Sequence, residues 1–262
     1  MTEQIELADS HAHLDLEEFD RDRDEVLQRA WESGVRAILC PAEMTTPASL
    51  ATVLGLAEKF SRVEAAAGIH PHLAKEFAPS LADKIQELGR AKQIKAVGEI
   101  GLDYHYNFSP PEKQREVFRT QLRLAQELAL PVIVHSRNSG RDVIAAVEEE
   151  GFTRGGVLHC FTEDWETAEQ MMDRNFFISF SGILTYPNAQ SLREIAKKIP
   201  WEKLLVETDS PYLVPQPRRG KNKRNEPAFV IETVQVLASL RNIHLEETAR
   251  ATLENFRRLF SV

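Results

Sequence analysis

Cysteine is nearly absent: a chain of 262 residues carries two, Cys40 and Cys160. Both end apolar runs of β-forming residues and read as core positions. Two thiols are too few for the disulfide framework of a small secreted domain, so they suit a reducing compartment. No window of about 18 apolar residues occurs, which excludes a conventional membrane-spanning helix. The opening MTEQIELADS has no basic start followed by an apolar stretch, so the expectation is a cytoplasmic protein with no membrane partner. Net positive charge is missing too. With 40 acidic against 32 basic residues, the formal charge of −8 excludes a generally basic nucleic-acid binder but leaves room for a local positive patch. Internal repeats, low-complexity tracts and a linker are also lacking. One domain spanning 1–262 is the simplest count, and oligomeric state stays open, a monomer being compatible.

The chain does contain a regular alternation. Eight β-type runs fall at about 5–10, 35–40, 63–69, 94–100, 131–136, 156–161, 175–181 and 203–208. Helical spacing fills much of the rest. FDRDRDEVLQRAWESG places Val26, Leu27, Ala30 and Trp31 on one face and stops at Gly34. PPEKQREVFRTQLRLAQELALP opens with proline in its first turn, puts Val117, Phe118, Leu122, Ala125 and Leu128 on one stripe, and ends at Pro131. Further helical runs lie near 79–90, 139–150, 164–174, 188–199 and 227–240, with an extra C-terminal helix at 245–260. With 42% hydrophobic residues over this length, the pattern predicts an α/β fold, a closed (β/α)8 TIM barrel. An open doubly wound sheet is the alternative, but it gathers its ligands at one switch point.

Here the ligand-type residues recur along the whole chain. Seven of the eight histidines sit in segments of apolar strand that end in His, Glu or Asp: ELADSHAHLD, AAAGIHPH, IKAVGEIGLDYH, PVIVHS and GVLHCF, with KLLVETDS closing the series. Such groups, delivered to the C-terminal ends of successive barrel strands, are what one metal centre in the mouth requires. Residues two apart on a strand face the same way, so Asp9, His11 and His13 are expected to point inward, and His11 with His13 can chelate one cation. An isolated HxH more often caps a strand; the other motifs tilt the balance. Glu99, flanked by Gly98 and Gly101, needs a positive partner if buried and can bridge two cations. His135 and His159 end adjacent apolar strands at matching height, which favours ligation over two satisfied core histidines. Asp209 is expected to ligate and to act as general base, against the plainer reading of an Asx-turn before Ser210 and Pro211. Glu207, one layer deeper, is expected to orient His11 or His13.

The series DSHAHLD, GIHPH, GEIGLDYH, VIVHS, HCF and ETDSPYL, followed by a basic RNEP segment, resembles the TatD family of metal-dependent hydrolases from about residue 8 to 227. The resemblance implies an amidohydrolase-like TIM barrel and a divalent-metal deoxyribonuclease acting on ester bonds of DNA, with exonuclease action. It makes His11, His13, Glu99, His135, His159 and Asp209 the ligands of two cations, with Glu99 as the bridge, and places His70 beside the substrate phosphate. It points to magnesium, whereas four imidazoles and two carboxylates suit zinc, manganese or iron by ligand preference. The alternatives are deacylation of D-aminoacyl-tRNA, a cyclic amidohydrolase with a carboxylated lysine, for which Lys95 is the only candidate near the fourth strand, and a non-catalytic metal-binding protein. Three departures from the family pattern concern substrate contacts: TED after HCF, the loop HSRNSGRDV, and a longer RRGKNKRNEP. In that last loop Arg218, Arg219, Lys221, Lys223 and Arg224 form the one concentrated positive patch, expected to guide a nucleic acid, with Arg218, Arg219, Lys221 and Arg224 on its phosphates.

Overall fold

The structure, a computed structural model, describes residues 5–106 and 108–262, so residues 1–4 of the opening segment weighed above lie outside the described residues. Eight strands occur: β1 (Leu7–Asp9), β2 (Val35–Glu43), β3 (Val63–Gly68), β4 (Ala96–Asp103), β5 (Val132–Arg137), β6 (Gly156–Leu158), β7 (Phe176–Phe180) and β8 (Leu204–Val206). Each runs parallel to the next in chain order. The ring closes where Ser10 N–H donates to Val206 C=O (3.0 Å), Asp209 N–H to His11 C=O (2.9 Å) and His13 N–H to Ser210 C=O (2.8 Å). This is the expected TIM barrel.

The helices are α1 (Arg23–Glu32), α2 (Pro47–Lys59), α3 (Pro79–Arg90), α4 (Pro111–Leu128), α5 (Gly140–Glu149), α6 (Trp165–Asp173), α7 (Gln190–Lys198), α8 (Val230–Arg241) and α9 (Leu245–Phe260). All match the predicted runs except α2, which the periodicity left unassigned. Its sequence, PASLATVLGLAEK, is apolar on nearly every side and so shows no clear stripe, although Pro47 in the first turn marks the start. On α1, Val26, Leu27 and Ala30 are buried while Trp31 packs only partly against them. Among the described residues no helix is long and apolar enough to cross a membrane.

Alternation along the strands separates two buried sets. Leu7, Val63, Val97, Val132, Val134, Leu158, Ile178 and Val206 join the set that packs on the helices. Ala8, Leu39, Ala66, Ala96, Ile133, Val157, Phe177 and Leu205, one from each strand, form the barrel interior. Phe256 and Phe260 of α9 pack into this interior set, and Asn255 of the same helix donates to Leu204 C=O at the start of β8. The extra C-terminal helix therefore seals the end of the barrel opposite the site, each buried ring contributing about 3–5 kcal/mol. The inward positions continue upward as Ile133 to His135, Val157 to His159 and Leu205 to Glu207. The strand period itself carries ligand-type side chains from the core into the mouth.

Candidate metal centre

Glu99 stands at the middle of that mouth, 7% exposed. Strict alternation after Ala96 would turn it outward. The β4–β5 pairing jumps from Val97–Val132 to Ile100–Val134, so one extra residue bulges out of β4 and Glu99 swings in. Glycine makes the bulge possible. A side chain at Gly98 would strike Ile133, and Gly101, at φ 137°, lies so close to His135 C=O that a Cβ would overlap it.

The two oxygens of Glu99 face different imidazoles. Oε1 lies 2.8 Å from His159 Nε2, 3.1 Å from His135 Nδ1 and 3.2 Å from His70 Nε2. Oε2 lies 3.2 Å from His11 Nε2 and 3.5 Å from His13 Nε2. Asp209 Oδ1 completes the second group at 3.5 Å from His13 and 3.9 Å from His11. Its backbone is left-handed (φ 54°), a conformation aspartate tolerates, and it follows Leu205 and Glu207 in the same inward parity.

Every atom converging here is an imidazole nitrogen or a carboxylate oxygen, and among the described residues no lysine or arginine pairs with Glu99 or Asp209. Burial pushes the Glu99 carboxyl up, but His159, His70 and His11 outweigh it and hold it well below its usual value. Burial lowers His11 and His70 to about 4, leaving both rings neutral. Burial also opposes charge on His159, yet Glu99 and Glu207 raise it well above the ordinary value. Burial raises Asp209 to about 6. The centre thus demands positive charge, which a divalent cation would supply with release of protons. The donor set fits such an ion, and His11, His13, Glu99, Asp209, His135 and His159 could hold it.

The partners of each ring's far nitrogen sort the imidazoles further. His135 Nε2 donates to Asp103 Oδ2 (3.1 Å) and His159 Nδ1 to Glu207 Oε1 (3.3 Å), so with a cation bound the nitrogens beside Glu99 are the ones left to offer it a lone pair. His70 is the reverse. Its Nδ1 accepts from His72 N–H (3.1 Å), so its Nε2 carries the proton and presents a donor to the centre. Proximity alone would group His70 with Glu99 and His135 as ligands; the tautomer argues for a donor instead.

Some expected positions are corrected. β1 ends at Asp9, so its alternation does not run on to His11. Asp9 turns away from the centre and accepts from Thr208 N–H (2.9 Å) and Thr208 O–H (2.6 Å), tying β1 to β8. Glu207 accepts from His159 Nδ1 (3.3 Å) and Cys160 N–H (2.6 Å), not from His11 or His13: its side chain reaches past β7 to the residues that follow β6, although β1 is the strand next to β8. The basic loop is not a free patch either. Arg218 pairs with Glu232 (2.7 Å) and Arg224 with Asp22 (2.5 Å), while Arg219 lies over Tyr186 (4.9 Å). Arg219, Lys221 and Lys223 remain exposed. Lys95 sits at the far end of β4 against Glu64 (4.0 Å), away from the bridging place.

Other contributors escape a reading of strand ends. Asp103, fully buried, joins His135 to His72, whose Nε2 is 2.9 Å from the same Oδ2. Burial raises this carboxyl, but hydrogen bonds from His135, Tyr106 N–H and His72 hold it well below its usual value. Two buried glutamines, seven residues apart on α4, fasten the strand ends beside the centre. Gln121 pairs with both backbone groups of Ile69, next to His70, and Gln114 with both of Asp103. The signal was present as two polar residues on an apolar stripe. Glu163 of TED accepts from Ser136 O–H (2.8 Å) and Ser139 N–H (3.0 Å) of HSRNSGRDV, so two departures from the family pattern meet in one contact. Asp103→Asn is expected to weaken metal binding roughly 10- to 100-fold, because the amide lets His135 turn its proton inward. Titration with manganese checks it; unchanged affinity would remove Asp103 from that role.

Comparison with known proteins follows this geometry. The model of the "TatD related DNase" family matches residues 8–261. The chain is 40% identical over 257 residues to YabD of Bacillus subtilis (strain 168), named an uncharacterized metal-dependent hydrolase, covering 98% of this chain and 99% of that one. It is 35% identical over 259 residues to the "3'-5' ssDNA/RNA exonuclease TatD" of Klebsiella pneumoniae (strain 342), covering 97% of each. The crystal structure of YJJV, a TatD homolog from Escherichia coli K12, superposes with a TM-score of 0.91 at 33% identity over 98% of both chains. With barrel, donor set and end-to-end relatives in agreement, the chain belongs to the TatD family of metal-dependent hydrolases.

Proposed function

We propose that the protein is a divalent-metal-dependent phosphodiester hydrolase that trims single-stranded DNA from one end. The observation that carries this reading is Glu99, whose two oxygens serve two separate imidazole sets, as a bridge between two cations requires. Divalent cations held by His11, His13, Glu99 and Asp209 on one side and by Glu99, His135 and His159 on the other would supply charge stabilisation at phosphorus and a water of lowered pKa. The chain's own groups do the rest. Asp209 orients the attacking water and accepts its proton; His70 donates its Nε2–H to a phosphate oxygen; Asp103 and Glu207 keep His135 and His159 in their tautomers. Attack at phosphorus breaks the bond to a sugar oxygen, which leaves as the hydroxyl of the released nucleotide or the shortened strand.

The polymer substrate is supported by the names of the family and of the Klebsiella relative. End-labelled single-stranded DNA incubated with magnesium or manganese should give a ladder shortened from one end, halted by a chelator. Intact DNA under both ions, with turnover of RNA alone, of D-aminoacyl-tRNA or of a cyclic amide, would overturn the reading.

The basic loop gives a second prediction. Arg218 and Arg224 already neutralise Glu232 and Asp22, so of the four expected phosphate contacts Arg219 and Lys221 are the two left free. Replacing both by alanine should raise KM for an oligonucleotide and reduce the log–log salt slope by roughly 0.7 per lost contact. The slope is read from KM at several salt concentrations; no change would reject the loop as a guide.

A further inference from the structure

Twenty aromatic side chains (13 Phe, 4 Tyr, 3 Trp) are present, and nearly all are buried or partly packed. Among the described residues three stand well out of the fold: Tyr106 (49% exposed), Phe108 (56%) and Tyr212 (51%). All three lie on loops that leave the C-terminal ends of strands, Tyr106 and Phe108 after β4 and Tyr212 after β8. In a ring of eight, strands four apart stand opposite each other, so the two loops face one another across the mouth. The metal centre lies between them.

Both stations adjoin the centre, one through His72 beside it and the other through His13. Tyr106 and Phe108 lie parallel (5°, ring centroids 5.4 Å apart), and His72 meets each edge-on at 5.6 and 4.8 Å. His72 shares Asp103 with His135. On the other rim Tyr212 meets His13 edge-on at 6.2 Å. The pair is also fixed in place. Tyr106 N–H donates to Asp103 Oδ1 (3.0 Å), and Ser109, next to Phe108, donates its hydroxyl to His72 C=O (2.7 Å). The Arg137 guanidinium lies 4.8 Å from the Tyr106 ring, adding a cation beside the stack. Large aromatic rings left open to water cost solvation free energy, and here the backbone and Asp103 hold them there.

We infer that Tyr106 with Phe108 on one rim, and Tyr212 on the other, are stacking stations for the nucleobases on either side of the phosphate being cleaved. The substrate class is single-stranded nucleic acid, because only unpaired bases expose faces that can lie on such rings, and stacking accepts any base. This inference rests on the nucleic-acid reading above. It adds the parts that hold the strand across the centre.

The test is equilibrium binding of a short single-stranded phosphorothioate DNA, which resists hydrolysis, to the magnesium-loaded enzyme, with 2-aminopurine replacing each base in turn near the ends. Stacking quenches that fluorophore. The wild-type protein should quench it at two positions. Tyr106→Ala with Phe108→Ala should abolish one quench and Tyr212→Ala the other, each raising Kd roughly 5- to 100-fold. Tyr106→Phe and Phe108→Tyr should keep both signals. In parallel, an abasic residue at either position should weaken binding to the wild type but not to the variant that lacks the matching station. Quenching that survives the alanine substitutions, abasic sites that cost every protein equally, or no binding at all would overturn the inference. Hydrolysis is read separately on unmodified DNA: binding with quench but no cleavage would sink the nuclease reading and leave the stations standing.

Discussion

Glu99→Ala is expected to lose most bound metal and to lower turnover on the order of 10²- to 10³-fold or more, the scale of losing an electrostatic stabiliser of the transition state. The physical reason is its position between two sets of donors. Oε1 serves His135 and His159 and Oε2 serves His11 and His13, so removing the carboxylate strips one ligand from both groups at once. It also removes the negative charge that would offset the mutual repulsion of two cations. What remains is a buried cluster of imidazoles held from behind by Asp103 and Glu207, with Asp209 as the acid left beside His11 and His13. Metal content measured on the purified variant, with turnover on the same sample and circular dichroism to verify the fold, checks the expectation. Wild-type stoichiometry with normal turnover would show that Glu99 is not the bridge.

How legible the molecule is from its sequence depends on where a residue's partner lies. The barrel is legible because each strand is an apolar run ending in a ligand-type residue, and alternation holds from Ile133 to His135, Val157 to His159 and Leu205 to Glu207. It breaks at β1, which stops at Asp9, and at the Gly98–Glu99 bulge, where strict alternation would have aimed Glu99 outward. Glu99 is legible as a site candidate because a buried carboxylate needs positive partners, not because of its parity. The partner of Glu207 is not legible, since its parity on β8 does not tell that the side chain reaches past the adjacent strand to His159 after β6. In the sequence the basic loop is legible as charge alone. Its pairing of Arg224 with Asp22 spans most of the chain and leaves no local mark. Asp103, Gln114 and Gln121 were visible as polar residues in apolar settings, but which backbone groups they hold is decided by the packing of α4 on β3 and β4.

Asp209→Asn separates ligation from proton transfer. The carboxylate lies on the left-handed turn after β8, with Oδ1 3.5 Å from His13 and 3.9 Å from His11, at the edge of the donor set and 15% exposed, where a water can reach it. Glu99, by contrast, is enclosed by five imidazoles. An asparagine there keeps the shape and one oxygen donor, so metal bound through Glu99, His135 and His159 should persist and metal at His11 and His13 should be held more weakly. An amide cannot accept the proton of the attacking water, so kcat is expected to fall by roughly 10²- to 10⁴-fold, the contribution typical of a general base. KM should change far less if, as proposed, base stacking and phosphate contacts elsewhere in the mouth set it. Steady-state kinetics on single-stranded DNA at saturating manganese makes the distinction, because excess metal compensates for weakened ligation but not for a missing base. Full recovery of kcat at high manganese would reduce Asp209 to a ligand alone, and the water would then need another acceptor.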